Sequence, residues 1–423
     1  MSAVLDAIEH KKRGEALAPD AIRAVVAGFT SGAIPDYQMS ALLMAIVLRG
    51  MDLDEIRVLT EAMADSGPRY AFPDCVDKHS TGGVGDKVTL CALPIVAACG
   101  VPVAKLSGRG LGTTGGTIDK LEAIPGFRVD LGEAAFRAQV ESVGLAIGEA
   151  GELAPADKAI YALRDATGTV DSMALIGSSI VSKKVATGAG HLLYDVKAGS
   201  GAFMKTLDEA RELADLLVGL TEGLGIRASA LVTDMDVALG RAVGNALEVN
   251  ESIAFLRGEP VAPDLAEVCR DVATELLALA GLGDPGARVE EALASGRAWE
   301  TFAATVAAQG GDADAVAAGL PVSSSVREVL APREGHVVAF DALGIARGAV
   351  ELGAGRQTKA DALDFGAGVE LLATVGDVVE AGQPVARLFG SRGVERAEAL
   401  VADALVVADD PVERRPHVLD RRG

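Results

Sequence analysis

Several things are scarce in this 423-residue chain, and each scarcity narrows what it does. Aromatic residues make up 4%, with a single Trp, so a surface that stacks nucleic-acid bases is not expected. Positive charge is in deficit: 39 Lys and Arg stand against 60 Asp and Glu, a net charge of −21. Such a field repels polyanions and anionic membrane surfaces, which argues against nucleic-acid and membrane partners. An acidic protein still binds phosphate where local donors outweigh the distant field. The four cysteines (Cys75, Cys91, Cys99 and Cys269) show no CxxC spacing, and two lie in apolar runs; buried free thiols and a reducing cytoplasm are expected. The N-terminus carries no signal-peptide pattern, and no uninterrupted apolar stretch is long enough to span a bilayer. A soluble, cytoplasmic protein of two or three domains follows.

Hydrophobic residues are plentiful, at 49%, and so is glycine, with 50 residues. Glycine is concentrated in two loops. The first is Asp77-Lys78-His79-Ser80-Thr81-Gly82-Gly83-Val84-Gly85-Asp86-Lys87, and the second runs from Lys105 through Ser107-Gly108-Arg109-Gly110 and Gly115-Gly116-Thr117 to Glu122. Between them lies an apolar run, Val88 to Cys99, that reads as a buried helix. Glycine lets backbone N–H groups approach an anion, Ser and Thr add donors, and Lys adds charge. Two such loops after successive short strands would lie together at the carboxyl edge of a sheet, as a phosphate cradle. Neither has P-loop spacing, and neither is a dinucleotide fingerprint. Taken alone, either loop reads as a tight turn.

Residues 1–70 read as short amphipathic helices, with Asp52 or Asp54 as a cap for a helix from Ile56 to Met63. Residues 71–156 alternate strand and helix, residues 157–191 return to helix, and the βα rhythm resumes over 192–330. Thr206-Leu207-Asp208-Glu209 reads as a capping box. The chain is therefore expected to build a helical lobe (1–70 and 157–191) and a larger α/β lobe (71–156 and 192–330) with a mostly parallel sheet. It crosses between them more than once and leaves a cleft where pockets favour sitting. From 331 to 423 the texture becomes Val- and Gly-rich, with short runs at His336–Phe340, Val369–Leu372 and Val385–Phe389. The turn Val375–Pro384 resembles that of biotinyl and lipoyl carriers, but Lys359 lacks a carrier lysine's setting, so a structural α+β module of barrel-sandwich type is expected.

The paired loops are more specific than their glycines. They closely resemble the motifs DKHSTGGVGD and SGRGLGxTGGTxDKLExIPGF of the thymidine and pyrimidine-nucleoside phosphorylase family. Asp195–Met204 and Gly244–Val249 are also similar to family segments, so the resemblance spans nearly the whole chain. It implies reversible phosphorolysis of a pyrimidine nucleoside to free base and pentose 1-phosphate, with inorganic phosphate as substrate, no organic cofactor, and a homodimer formed through the N-terminal helices. It also implies phosphate binding by Lys78, Ser80, Thr89, Ser107 and Thr117, and pyrimidine binding by Arg164, Ser179 and Lys183. In this role His79 donates to the base O2 as a neutral or charged imidazole. Lys78, His79, Arg164 and Lys183 are the expected catalytic set. The chemistry suits these types: a phosphate dianion needs converging donors and charge, and a departing pyrimidine needs donors where its negative charge develops. Ser179 and Lys183, four apart, share a helix face.

Two departures stand out. Thr113 replaces a His common in the family. Some relatives hold a monovalent cation at positions matching Gly85, Leu239, Ala242 and Glu251, and Lys87 replaces a Thr there; the Lys87 ammonium is expected to stand in for the cation and pair with Glu251. Val103-Ala104-Lys105 is more similar to the branch accepting uridine, thymidine and 2′-deoxyuridine than to the thymidine-restricted one. The competing readings are a thymidine-restricted phosphorylase, a phosphoribosyltransferase of the anthranilate type, and a catalytically silent phosphate- or nucleoside-binding regulator.

Overall fold

The computed structural model describes residues 3–110, 115–356, 358 and 361–423; Thr113 and Lys359 lie outside the described residues. The chain opens with four helices, α1 (Ala3–Lys12), α2 (Pro19–Thr30), α3 (Asp36–Arg49) and α4 (Leu53–Ala64). Asp52 caps α4: its carboxylate accepts from Glu55 N while Glu55 reaches back to Asp52 N, which satisfies two otherwise orphaned donors. Glu55 is also buried against Lys11, 2.7 Å away, which ties α4 to α1.

Next come β1 (Phe72–Ser80), α5 (Val88–Ala98), β2 (Val103–Ser107), α6 (Thr117–Glu122), α7 (Glu133–Val143) and β3 (Leu145–Glu149). Helices α8 (Pro155–Thr167) and α9 (Met173–Thr187) return to the first four, where Ala156, Ile160 and Leu175 join their apolar core. Then come β4 (Ala189–Ala198), α10 (Leu207–Gly223), β5 (Arg227–Asp234), a two-residue β6 (Ala242–Val243), α11 (Asn245–Leu256) and α12 (Pro263–Leu279), and helices at Pro285–Ala294, Arg297–Ala308 and Ala313–Ala318 complete the larger lobe. Helix α10 starts at Thr206 with the capping box formed by Glu209.

The main sheet has the order C-terminal strand–β5–β4–β1–β2–β3, parallel except for its first member. The order reverses between β1 and β4. Their carboxyl ends form the switch point at which ligands of open α/β sheets bind. Strand β1 pairs on both sides; α5 is buried nearly all round, which explains why its sequence reads as a continuous apolar run.

Strand pairing crosses the expected boundary at 331 in both directions. Strand Val326–Leu330 pairs with Pro384–Phe389 and so belongs to the C-terminal unit. Strand Val418–Arg422 leaves that unit and pairs antiparallel with β5, while β6 of the larger lobe pairs with Gly368–Leu371. The C-terminal unit thus has a three-stranded and a four-stranded sheet stitched to the larger lobe at two edges, with helices at Ala342–Leu352 and Val394–Asp403. Strand pairing between segments far apart in sequence leaves no local signature, so composition alone does not show these pairings. Among the described residues no helix is long and apolar enough to cross a membrane.

Candidate active site

Strand geometry sorts the first motif. Successive side chains of a strand point to opposite faces, so the tetrapeptide Asp77-Lys78-His79-Ser80 at the end of β1 sends Lys78 and Ser80 to one side of the sheet and Asp77 and His79 to the other.

On the Lys78 side the ammonium is fully buried, 2.9 Å from Asp195 Oδ2 and 3.9 Å from Asp86 Oδ1. Asp195 lies opposite Ser80 in the β1–β4 register. The same Asp195 oxygen faces Lys197 Nζ at 2.9 Å, and its other oxygen accepts from the Thr233 hydroxyl at 2.7 Å. Burial would push Lys78 down, but Asp195 and then Asp86 outweigh it and hold the pKa above its ordinary value, so the lysine stays charged. Ser80 Oγ donates to Asp86 Oδ2 at 2.5 Å. Lys120, reaching over from α6, pairs with Glu248 at 2.8 Å and donates to the Asp86 carbonyl at 2.6 Å. Thr89 is buried in the first turn of α5.

The described ends of the second loop return to each other, so that Ser107, last in β2, and Thr117, first in α6, lie at the same end of the sheet. Ile118 N donates to Gly108 O at 3.4 Å and Gly110 N to Asp119 Oδ2 at 2.6 Å. A Cβ at Gly116 would collide with the backbone of Arg109 and Gly110, so this return admits only glycine.

On the other face His79 packs edge-on to Tyr194, ring centroids 6.3 Å apart. Its imidazole pKa is driven well below the usual value by burial and then by Lys184, Lys105, Lys183 and Lys78, which makes it a neutral ring. Of the two protonation states open to it in the sequence reading, the structure supports the neutral one. Helix α9 presents Ser179 and Lys183 together, Nζ to Oγ 3.3 Å, with Asp157 of α8 closing on Lys183 at 2.6 Å. Lys183 is 39% exposed and accessible. Lys184, one residue on, is buried instead, 2.7 Å from Asp77, and donates to Leu106 O at 3.0 Å.

Arg164 is buried, with 1% exposure, and donates to the carbonyls of Thr169 at 3.1 Å, Leu175 at 2.8 Å and Val170 at 2.8 Å. It clasps the α8–α9 connection. A guanidinium has about five N–H donors; with three engaged here, about two remain for a ligand.

Gly85, Leu239, Ala242 and Glu251 also converge. Gly85 has φ +68°, and a Cβ there would lie 2.6 Å from Leu239 O. Into this nook Lys87 extends a fully buried ammonium, 2.7 Å from Leu239 O and 2.9 Å from Glu251 Oε2. Glu251 further accepts from Arg241 N at 2.8 Å and Ala242 N at 2.9 Å. Among the described residues no group of three or more His, Cys, Asp and Glu side chains is placed to hold a metal ion.

The chain thus brings Lys78 and Ser80 together on one side of β1, and His79, Ser179 and Lys183 on the other. Sequence reasoning missed the acids that hold them: Asp86, Asp157, Asp195 and Glu248, with Lys120 and Lys197. Asp86 and Asp195 sat inside motifs already recognised, so their charge was visible. Which lysine each would meet was not, because the partners come from other strands and helices.

Comparison with known proteins places the chain in a family. Residues 5–67 match the helical bundle domain of a glycosyl transferase family, residues 72–299 its a/b domain, and residues 336–408 the pyrimidine nucleoside phosphorylase C-terminal domain. The chain is 47% identical to thymidine phosphorylase of Mycobacterium tuberculosis over 98% of its own length and 97% of that protein. It is 43% identical to pyrimidine-nucleoside phosphorylase of Geobacillus stearothermophilus, over 99% of each. Anthranilate phosphoribosyltransferase from Thermus thermophilus shares the fold, at TM-score 0.59 and 22% identity, covering 73% of this chain and 99% of that one. With its helical, a/b and C-terminal domains all matched in order and its relatives aligned end to end, the chain belongs to the thymidine and pyrimidine-nucleoside phosphorylase family.

Proposed function

We propose that the chain catalyses the reversible phosphorolysis of uridine, thymidine and 2′-deoxyuridine, giving the free pyrimidine and ribose or deoxyribose 1-phosphate. The observation that carries this is the division of Asp77–Ser80 between two sides of one strand end. Lys78 and Ser80 serve an anion on one side, and His79 stands with Ser179 and Lys183 on the other. A sugar carbon placed between them would meet a phosphate oxygen on one flank and its leaving base on the other.

The bond from C1′ to the base nitrogen breaks, its electron pair passing into the pyrimidine ring and oxygens. The bond from C1′ to a phosphate oxygen forms, and the proton that hydrogenphosphate gives up in becoming the ester dianion ends on the released base through solvent. Phosphate is the nucleophile, so no covalent protein intermediate is needed. Lys78, Ser80, Thr89, Ser107 and Thr117 hold and orient it. Lys183, Ser179 and the free N–H groups of Arg164 stabilise the charge that develops on the base, where a fixed donor is worth most. Neutral His79 donates an N–H to O2 without delivering a full proton.

The Lys87 ammonium takes the place of a bound monovalent cation, so the reaction is expected to proceed without added potassium. The exposed stripe Tyr37, Met44 and Leu48 on α3 is proposed to meet a second copy in a homodimer. The buried free thiols Cys75, Cys91 and Cys269 suit a reducing cytoplasm.

Purified protein incubated with each nucleoside should release free base only when phosphate is added. Release without phosphate, or none from any pyrimidine nucleoside by folded protein, overturns the reading. Transfer from phosphoribosyl diphosphate to an aromatic amine in the presence of Mg²⁺ would replace it with the anthranilate-type reaction.

A further inference from the structure

Asp86 stands where an anion should stand. Its carboxylate takes the Ser80 hydroxyl proton at 2.5 Å, accepts from Val88 N at the start of α5 at 3.3 Å, and lies 3.9 Å from Lys78 Nζ. Its side chain is only 8% exposed. Lys78, Lys197 and Lys120, in that order, oppose the cost of burying it and keep it ionised far below the usual carboxylate range.

The local charges balance: Lys78, Lys197 and Lys120 against Asp86, Asp195 and Glu248. A serine hydroxyl carries one proton, so Ser80 cannot donate to Asp86 and to a phosphate oxygen at once. Two anions brought to one hydroxyl also repel, and more strongly in a buried site than in water.

We propose that Asp86 is an internal competitor for phosphate: substrate phosphate takes Ser80 and the Lys78 field from the Asp86 carboxylate, so Asp86 sets phosphate affinity. This rests on the reading of Lys78 and Ser80 as the phosphate cradle. The arrangement gives Asp86 a purpose that a simple helix cap lacks. It keeps the buried lysines charged and oriented, and it weakens phosphate binding so that the pentose 1-phosphate product also leaves.

The test is Asp86→Asn, which keeps the shape and an acceptor for Val88 N while removing the charge. KM for phosphate should fall about tenfold, the worth of one charge-assisted hydrogen bond, with the nucleoside KM unchanged. Direct titration with inorganic phosphate should show the same gain. An unchanged or raised phosphate KM overturns the proposal, since a merely structural Asp86 would move kcat or stability and leave the two KM values together. Should Asp86→Asn and Asp86→Ser both fail to fold, crystals of the wild-type chain with bound phosphate decide. A Ser80–Asp86 contact broken in favour of a phosphate oxygen supports competition, and an intact contact beside bound phosphate refutes it. If wild-type protein shows no phosphate binding and Lys78→Met changes nothing, the cradle reading itself falls, and this proposal with it.

Discussion

Lys87 gives the sharpest energetic test. Replacing it with Met removes the ammonium, keeps most of the aliphatic volume, and leaves two groups behind. One is the Leu239 carbonyl, which loses its 2.7 Å donor; the other is Glu251, 11% exposed, which loses the ammonium 2.9 Å away. Breaking a buried ion pair by removing one partner costs about 3–5 kcal/mol, because the surviving charge is stranded. Two backbone donors remain on Glu251, from Arg241 and Ala242, and they hold the expected loss near the lower end, about 3 kcal/mol. In Lys87→Met/Glu251→Gln the stranded charge is gone, so most of that loss should return. In Lys87→Thr a hydroxyl and the carbonyls of Leu239 and Ala242 are left around Glu251, and potassium should restore stability where it does nothing for wild type. Urea unfolding of the four proteins, with and without potassium, measures this. A Lys87→Met loss below about 1 kcal/mol, the worth of an exposed pair, would show that the Lys87–Glu251 contact is incidental. So would a double variant no better than the single one. Strong potassium activation of the wild-type enzyme would refute the stand-in role.

Three further outcomes are expected. His79 is held neutral, so protonation cannot be part of its working form: kcat/KM should not fall as pH rises from 6 to 8, and an alkaline limb with an apparent pKa near the ordinary imidazole value of about 6.5 would show that an imidazolium is required. Lys183→Ala should lower kcat by about 10²–10³, as for loss of one donor to developing charge, with the phosphate KM little changed; a loss confined to phosphate KM would move Lys183 out of the base subsite. The Tyr37, Met44 and Leu48 stripe, with Tyr37 at 74% and Leu48 at 73% exposure, should be covered by a second copy. Light scattering of wild type should then give twice the single-chain mass and of Leu48→Glu the single-chain mass, whereas a single-chain mass for wild type removes the dimer.

What the sequence determined by itself was local. Apolar periodicity and caps placed the helices, with Asp52 one of two caps offered for α4 and Thr206 opening a capping box, because a cap is satisfied within four residues. Alternation of strand and helix announced the parallel sheet, and two glycine motifs announced the family. The Lys87–Glu251 pair was legible as well, since the family resemblance set a lysine in place of a threonine at a position matched with Glu251.

Only the tertiary structure decided what depends on distant pairing. The reversal of strand order between β1 and β4 set Asp195 and Lys197 beside Lys78. Packing of α9 on the sheet buried Lys184 against Asp77 while leaving its neighbour Lys183 accessible. The final strand returned to β5 across the boundary that composition suggested. In each case the energy comes from a charge or a backbone edge meeting a partner many residues away. Sequence records that such groups exist, and only the fold records which of them meet.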